Sequence, residues 1–176
     1  MAPPSDGTTG STEVLGLDGF NALTEAEATQ VLLACCSSPA WARGMLAGRP
    51  YASVTDVVET ADRVLKGLTE DEVDAALEGH PRIGASLSDG SSYSQQEQSG
   101  MAQADDDLRR RLAEGNRAYE ERFGQVYLVS ASGKSAQELL DLLHRRLSND
   151  PVTERAVLRE ELRKINRIRL ERVLVP

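Results

Sequence analysis

Gln125-Val126-Tyr127-Leu128-Val129 is the one run in this chain that resembles a β-strand. It stands alone between segments that read as helix or turn, and one isolated strand cannot build a sheet. An extended connector between helices is therefore predicted. The expected fold is all-α: a single-domain, irregular helical bundle of about seven to nine helices with no significant sheet. A length of 176 residues suits one domain with a substantial core.

Working outward toward the C-terminus, Ser135 begins a helix in which Leu139, Leu140, Leu142, Leu143 and Leu147 form a broad apolar face, closed by Asn149-Asp150-Pro151. A final helix is expected from near Thr153, with Leu158, Leu162 and Ile165 at spacings of four and three. Toward the N-terminus, Gly124 is a natural stop for a helical piece over Asn116–Arg122. Before it, a helix runs from Ser94 through Met101, Leu108 and Leu112 to the neighbourhood of Gly115. Residues 79–93 lack helical periodicity and read as a surface loop. Earlier still, Thr69-x-x-Glu72 and Thr24-x-x-Glu27 are capping boxes, in which each side chain satisfies an orphan backbone donor at a helix start. Pro39 suits the first turn of a short helix carrying Trp41, and Ser53 caps another with Val57, Ala61 and Leu65 on one side. The first of these helices is expected to reach about Ser37. Residues 1–16, rich in Pro, Gly, Ser and Thr, read as a loose leader, which leaves 17–176 as the domain. No internal repeat is visible, which argues against a solenoid.

A net charge of −8 and a pI near 4.9 exclude a generic phosphate-backbone binder. No apolar run approaches the ~20 residues that cross a bilayer, and the N-terminus lacks a basic region followed by an apolar one. No nucleic-acid or membrane partner is expected, and the cytoplasm is the simplest location. Cys35 and Cys36 are adjacent on an expected helix and read as buried structural thiols. Two distant histidines without HExxH give no metal site, and neither a phosphate-cradling glycine loop nor a GxSxG elbow is present.

Three places carry candidate chemistry. His80 precedes Pro81, whose ring limits the preceding backbone and so restricts where the imidazole points; a turn histidine beside a proline is the plainer reading. Ser94, Glu97 and Gln98 share one helical face at i, i+3 and i+4. The same Ser-x-x-Glu is also a capping box, although a helix N-terminus both caps and attracts anions. Arg169 continues the spacing of Leu158, Leu162 and Ile165, so a cation is expected at the margin of a core-facing stripe, either clamping a carboxylate or packing its stem on the core. His144, beside Arg145 and Arg146, reads as a surface or packing residue rather than a ligand.

These pieces taken together resemble a known family. Gly79-His80-Pro81-Arg82-Ile83-Gly84, then Ser94-x-x-Glu97-Gln98, Phe123-Gly124, Arg146-Leu147-x-Asn149-Asp150 and Ile165-x-x-Ile168-Arg169-Leu170 resemble the 2-oxo-4-hydroxy-4-carboxy-5-ureidoimidazoline (OHCU) decarboxylases of urate breakdown. The resemblance extends from about Phe20 to Leu174. It implies an all-α, typically homodimeric enzyme without metal or organic cofactor, acting on a small-molecule substrate and releasing carbon dioxide to give (S)-allantoin. It further implies His80 and Glu97 as catalytic, and Pro81, Ser94, Gln98, Arg169 and the connector residues Tyr127, Leu128, Val129, Ser130 and Ala131 as substrate-binding. The connector departs from the family, since many members carry a proline and a phenylalanine where this chain has Gln125-Val126-Tyr127. The ending Leu174-Val175-Pro176 lacks the Ser-Lys-Leu address, which fits a cytosolic member. The alternatives are a non-catalytic helical interaction module, or a decarboxylase of a related ureido or imidazole acid.

Overall fold

The computed structural model describes residues 14–84, 101 and 104–175. Among them are eight helices and no strand: α1 (Gly16–Ala22), α2 (Glu25–Cys35), α3 (Pro39–Leu46), α4 (Val54–Gly67), α5 (Glu70–Glu78), α6 (Asp106–Phe123), α7 (Ala136–Leu147) and α8 (Pro151–Leu174). The all-α expectation holds.

Polar side chains start these helices where the sequence places them. Thr24 and Thr69 form full capping boxes with Glu27 and Glu72, and Ser135 does the same with Glu138. Ser53 accepts from the backbone of Asp56, and Ser38 from that of Trp41. Several boundaries differ from the sequence reading. The helix α2 stops at Cys35 because Cys36 is already extended and Ser38 caps α3. The last helix starts at Pro151, with Asp150 accepting from Val152 and Thr153. Residues 106–123 form one helix rather than two pieces: Gly115 is interior, and a Cβ there would lie 2.5 Å from Leu143 Cδ2, so this glycine lets α6 and α7 pack closely. Gly124, at φ 67°, ends α6 in the left-handed region as expected. The leader reading falls outside the described residues up to residue 13; Leu15 donates its N–H to the Val173 carbonyl, so α1 docks on α8.

Two apolar cores result. One joins α1–α5 to Leu158, Leu162, Ile165, Leu170 and Val173 of α8, around Trp41, Leu32 and Phe20. The other packs Leu112 and Tyr119 of α6 on Leu139, Leu140 and Leu143 of α7. The connector runs along the seam. Leu128 belongs to the first core, while Tyr127, Val129 and Ala131 belong to the second. That alternation has the period of an extended chain.

A buried peptide without a sheet needs other hydrogen-bond partners. Arg146 Nη1 donates to the Leu128 carbonyl at 2.5 Å, and Glu161 Oε2 accepts from the Ser130 N–H at 2.7 Å. Arg146 is held in turn by Glu154, which is fully buried, through Nε at 2.8 Å and Nη2 at 2.5 Å. The Tyr119 hydroxyl donates to the same carboxylate, and burial pushes its pKa up to about 12, so it remains a donor. Removing one partner strands a buried charge. Glu154→Ala is expected to destabilise the fold by about 3–5 kcal/mol in urea unfolding; a loss below about 1 kcal/mol would contradict this account of the pair.

Candidate active site

His80 sits where α5 ends. Gly79 caps the helix, the His80 N–H donates to Leu77 O at 3.0 Å, and the ring Nδ1 lies 3.0 Å from Ala76 O. A carbonyl oxygen can only accept, so Nδ1 carries the hydrogen and the lone pair of the neutral ring is on Nε2. The residue is only 7 % exposed, and Nε2 has no hydrogen-bond partner among the described residues. Burial, seconded by the positive charge of Arg169, lowers the His80 pKa to about 4, against the bond to Ala76. The plain reading of a surface-loop histidine is thereby replaced by a buried neutral base.

The α2–α3 junction closes on this histidine because Gly79 has no side chain. A Cβ there would lie 1.8 Å from Ser37 Oγ and 2.4 Å from Ser37 Cβ. Cys35 and Cys36 are buried in the first core and form no disulfide, as expected, and both lie beside Arg169. Arg169 is deeper than the expected margin: it is 3 % exposed, and its Nη1 donates to the Cys35 carbonyl at 3.2 Å. Its charge reaches both the His80 ring and the Cys36 thiol. Burial raises the Cys36 pKa nonetheless, which leaves a neutral thiol rather than a nucleophile.

The structure thus brings His80 and Arg169 together. Pro81 follows His80 and is partly buried. The connector residues Tyr127, Leu128, Val129, Ser130 and Ala131 are all buried. With the Leu128 carbonyl and the Ser130 N–H held by Arg146 and Glu161, the alternation of an extended chain turns the Val129 peptide groups to the opposite edge. Ser94, Glu97 and Gln98 lie outside the described residues. His144 is exposed, a surface rather than a packing residue. A cavity of about 340 Å³ between Arg82–Gly84 and α6 contains none of the sequence-predicted site residues. Among the described residues no group of three or more His, Cys, Asp or Glu side chains is placed to hold a metal ion.

Sequence reasoning missed Ser37, Cys36 and Asn166 as neighbours of this site. The Pro39 helix start does mark the α2–α3 junction, but no periodicity says which distant loop it meets.

The OHCU decarboxylase family model matches residues 21–171, and the chain belongs to that family. It is 29 % identical over 141 residues to the 2-oxo-4-hydroxy-4-carboxy-5-ureidoimidazoline decarboxylase of Amia calva, covering 77 % of this chain and 81 % of that one. The uric acid degradation bifunctional protein of Arabidopsis thaliana is 28 % identical over 145 residues; the match covers 79 % of this chain and 45 % of the longer relative. In fold, the chain is similar to a crystal structure of OHCU decarboxylase in the presence of (S)-allantoin, with a TM-score of 0.72 at 24 % identity, covering 82 % of this chain and 96 % of that one.

Two outcomes follow from this geometry. Gly79→Ala must displace Ser37 or the His80 backbone; a fall in folding stability of about 1–3 kcal/mol is expected, and an unchanged urea midpoint would argue against the close approach. The pKa depression gives the second. Because the folded-state pKa of His80 lies below its ordinary 6.5, the unfolded chain takes up this proton first as pH falls. The stability contribution is complete above about pH 6.5, declines down to about pH 4 and is flat below that, a loss of up to roughly 3 kcal/mol. The stability difference between wild type and His80→Asn, followed by urea unfolding from pH 4 to 7.5, should therefore shrink as pH falls; a pH-independent difference would contradict it.

Proposed function

We propose that this chain catalyses the cofactor-independent decarboxylation of OHCU to (S)-allantoin in urate breakdown, with His80 as the proton-transfer group. The observation that carries the reading is a buried neutral imidazole, its Nε2 without a partner among the described residues, under the charge of Arg169 in a chain of this family.

In OHCU the departing carboxylate is on the carbon beside a ring C=N. The electron pair freed by loss of carbon dioxide moves into that imine, whose nitrogen takes up a proton, and an enol remains. Neutral His80 takes the hydroxyl proton at Nε2 and returns a proton to one face of the enol carbon, which sets a single enantiomer. Its depressed pKa keeps the ring neutral with the Nε2 lone pair free, but also makes the free ring a weak base. A substrate anion or carbonyl oxygen bound at Arg169 offsets the charge that opposes the imidazolium, so binding makes His80 more basic as the proton moves. Glu97, carried over from the family resemblance, orients His80 or faces the departing carboxylate. Pro81, Ser94, Gln98 and the connector Tyr127–Ala131 hold the ring and the ureido group. The resemblance also supports a homodimer working in the cytoplasm. No described helix is long and apolar enough to cross a membrane.

The test generates OHCU from urate in situ with the upstream enzymes, and follows carbon dioxide release and the circular dichroism of (S)-allantoin. The wild type should accelerate both well beyond spontaneous decay, and His80→Asn should lose at least about a hundredfold while keeping its fold. A rate equal to spontaneous decay favours an interaction module, and preference for another ureido or imidazole acid favours the related decarboxylase. Near-normal turnover by His80→Asn would end the mechanism.

A further inference from the structure

Asn166 is an unexplained polar residue in the first core. It is 2 % exposed, and neither Nδ2 nor Oδ1 has a hydrogen-bond partner among the described residues. Its neighbours along the buried face of α8 include Leu162, Ile165 and Leu170. A buried amide with neither end paired is strongly unfavourable, whereas an apolar side chain of the same size would incur no such penalty.

Its surroundings connect it to the site. Asn166 and Arg169 are three residues apart, and so lie on one face of α8. Both side chains are close enough to the Cys36 thiol to favour its charged form. A thiol is a weak hydrogen-bond partner, and the amide makes no bond of proper geometry to it. Arg169 in turn acts on the His80 ring. Cys36 and Arg169 therefore link the Asn166 amide to the imidazole.

We propose that Asn166 is a substrate-binding residue whose amide pairs with a urea-type edge, Nδ2 donating to a C=O and Oδ1 accepting from the adjacent N–H. The choice of ligand group follows from what would satisfy both ends at once. A carboxylate would pair only with Nδ2, and an ammonium only with Oδ1. A carbonyl beside an N–H satisfies the two together. The proposal rests on the OHCU reading, in which the substrate offers two such edges, one on the ureido arm and one in the ring.

The test uses the full chain with Asn166→Leu, which removes both hydrogen-bonding atoms at similar size, and Asn166→Ala, which adds no bulk. Steady-state kinetics on OHCU generated in situ should show KM raised about ten- to a hundredfold in both variants, with kcat changed less. Thermal stability of Asn166→Leu should be unchanged or higher, because an unpaired amide has been removed; a residue with a merely structural role would lose stability and leave KM alone. Binding of (S)-allantoin by titration calorimetry should weaken in parallel. A weakening shared by hydantoin assigns the edge to the ring, and one confined to (S)-allantoin assigns it to the ureido arm. Unchanged KM and unchanged (S)-allantoin affinity in both variants would overturn the proposal and leave buried water as the amide's partner. Failure of the wild type to accelerate OHCU decay would refute the decarboxylase reading instead.

Discussion

The buried pair of Arg146 and Glu154 is the constraint on which the rest of the structure depends. An extended segment that crosses a protein interior without a sheet leaves its peptide groups unpaired, and each unpaired group is costly. Here two charged side chains from neighbouring helices take that role, Arg146 at the Leu128 carbonyl and Glu161 at the Ser130 N–H. Glu154 makes the arginine tolerable inside, and the Tyr119 hydroxyl and the Asn149 amide occupy its remaining acceptor sites. The arrangement is polar because the connector is backbone-rich, and it fixes how the two apolar cores meet.

Outside that pair, a row of arginines on α8 also reaches the N-terminal helices. Arg155 and Arg159 share Glu70, Arg155 also reaches Asp74, and Arg163 and Arg167 share Asp62. Partly exposed pairs of this kind contribute little each. The apolar face beneath them, Leu158, Leu162 and Ile165, supplies most of the attachment. Because α8 is held on both flanks, Asn166 and Arg169 are presented to the α2–α3 junction from a rigid element rather than a loop.

Local signals were legible in the sequence wherever one residue decides the outcome. Capping boxes at Thr24 and Thr69, the stop at Gly124 and the lone connector all follow from short-range chemistry. Gly115 misled because a glycine within a helix breaks it or admits a close neighbour, and only the position of Leu143 decides which. The depth of Arg169 was hidden for a similar reason: its spacing gives the face of α8, but the burial of that face depends on helices a hundred residues earlier. His80 and Arg169 were picked out by motif and family resemblance, whereas the neutral state of the imidazole depends on burial and a distant charge. Asn166 carried no local pattern at all; its meaning lies in what surrounds it.

The path of α8 has a consequence for how the chain acquires its shape. The first core is built from α1–α5 but is completed by Leu158, Leu162, Ile165, Leu170 and Val173, so the earliest helices cannot finish burying their apolar faces until the last of the described helices has left the ribosome. The α6–α7 pair, joined by a short segment and packed mostly on itself, can close first. Until α8 docks, the first core lacks one of its faces, and the contact of Arg169 with the Cys35 carbonyl, which brings a positive charge to His80, cannot form.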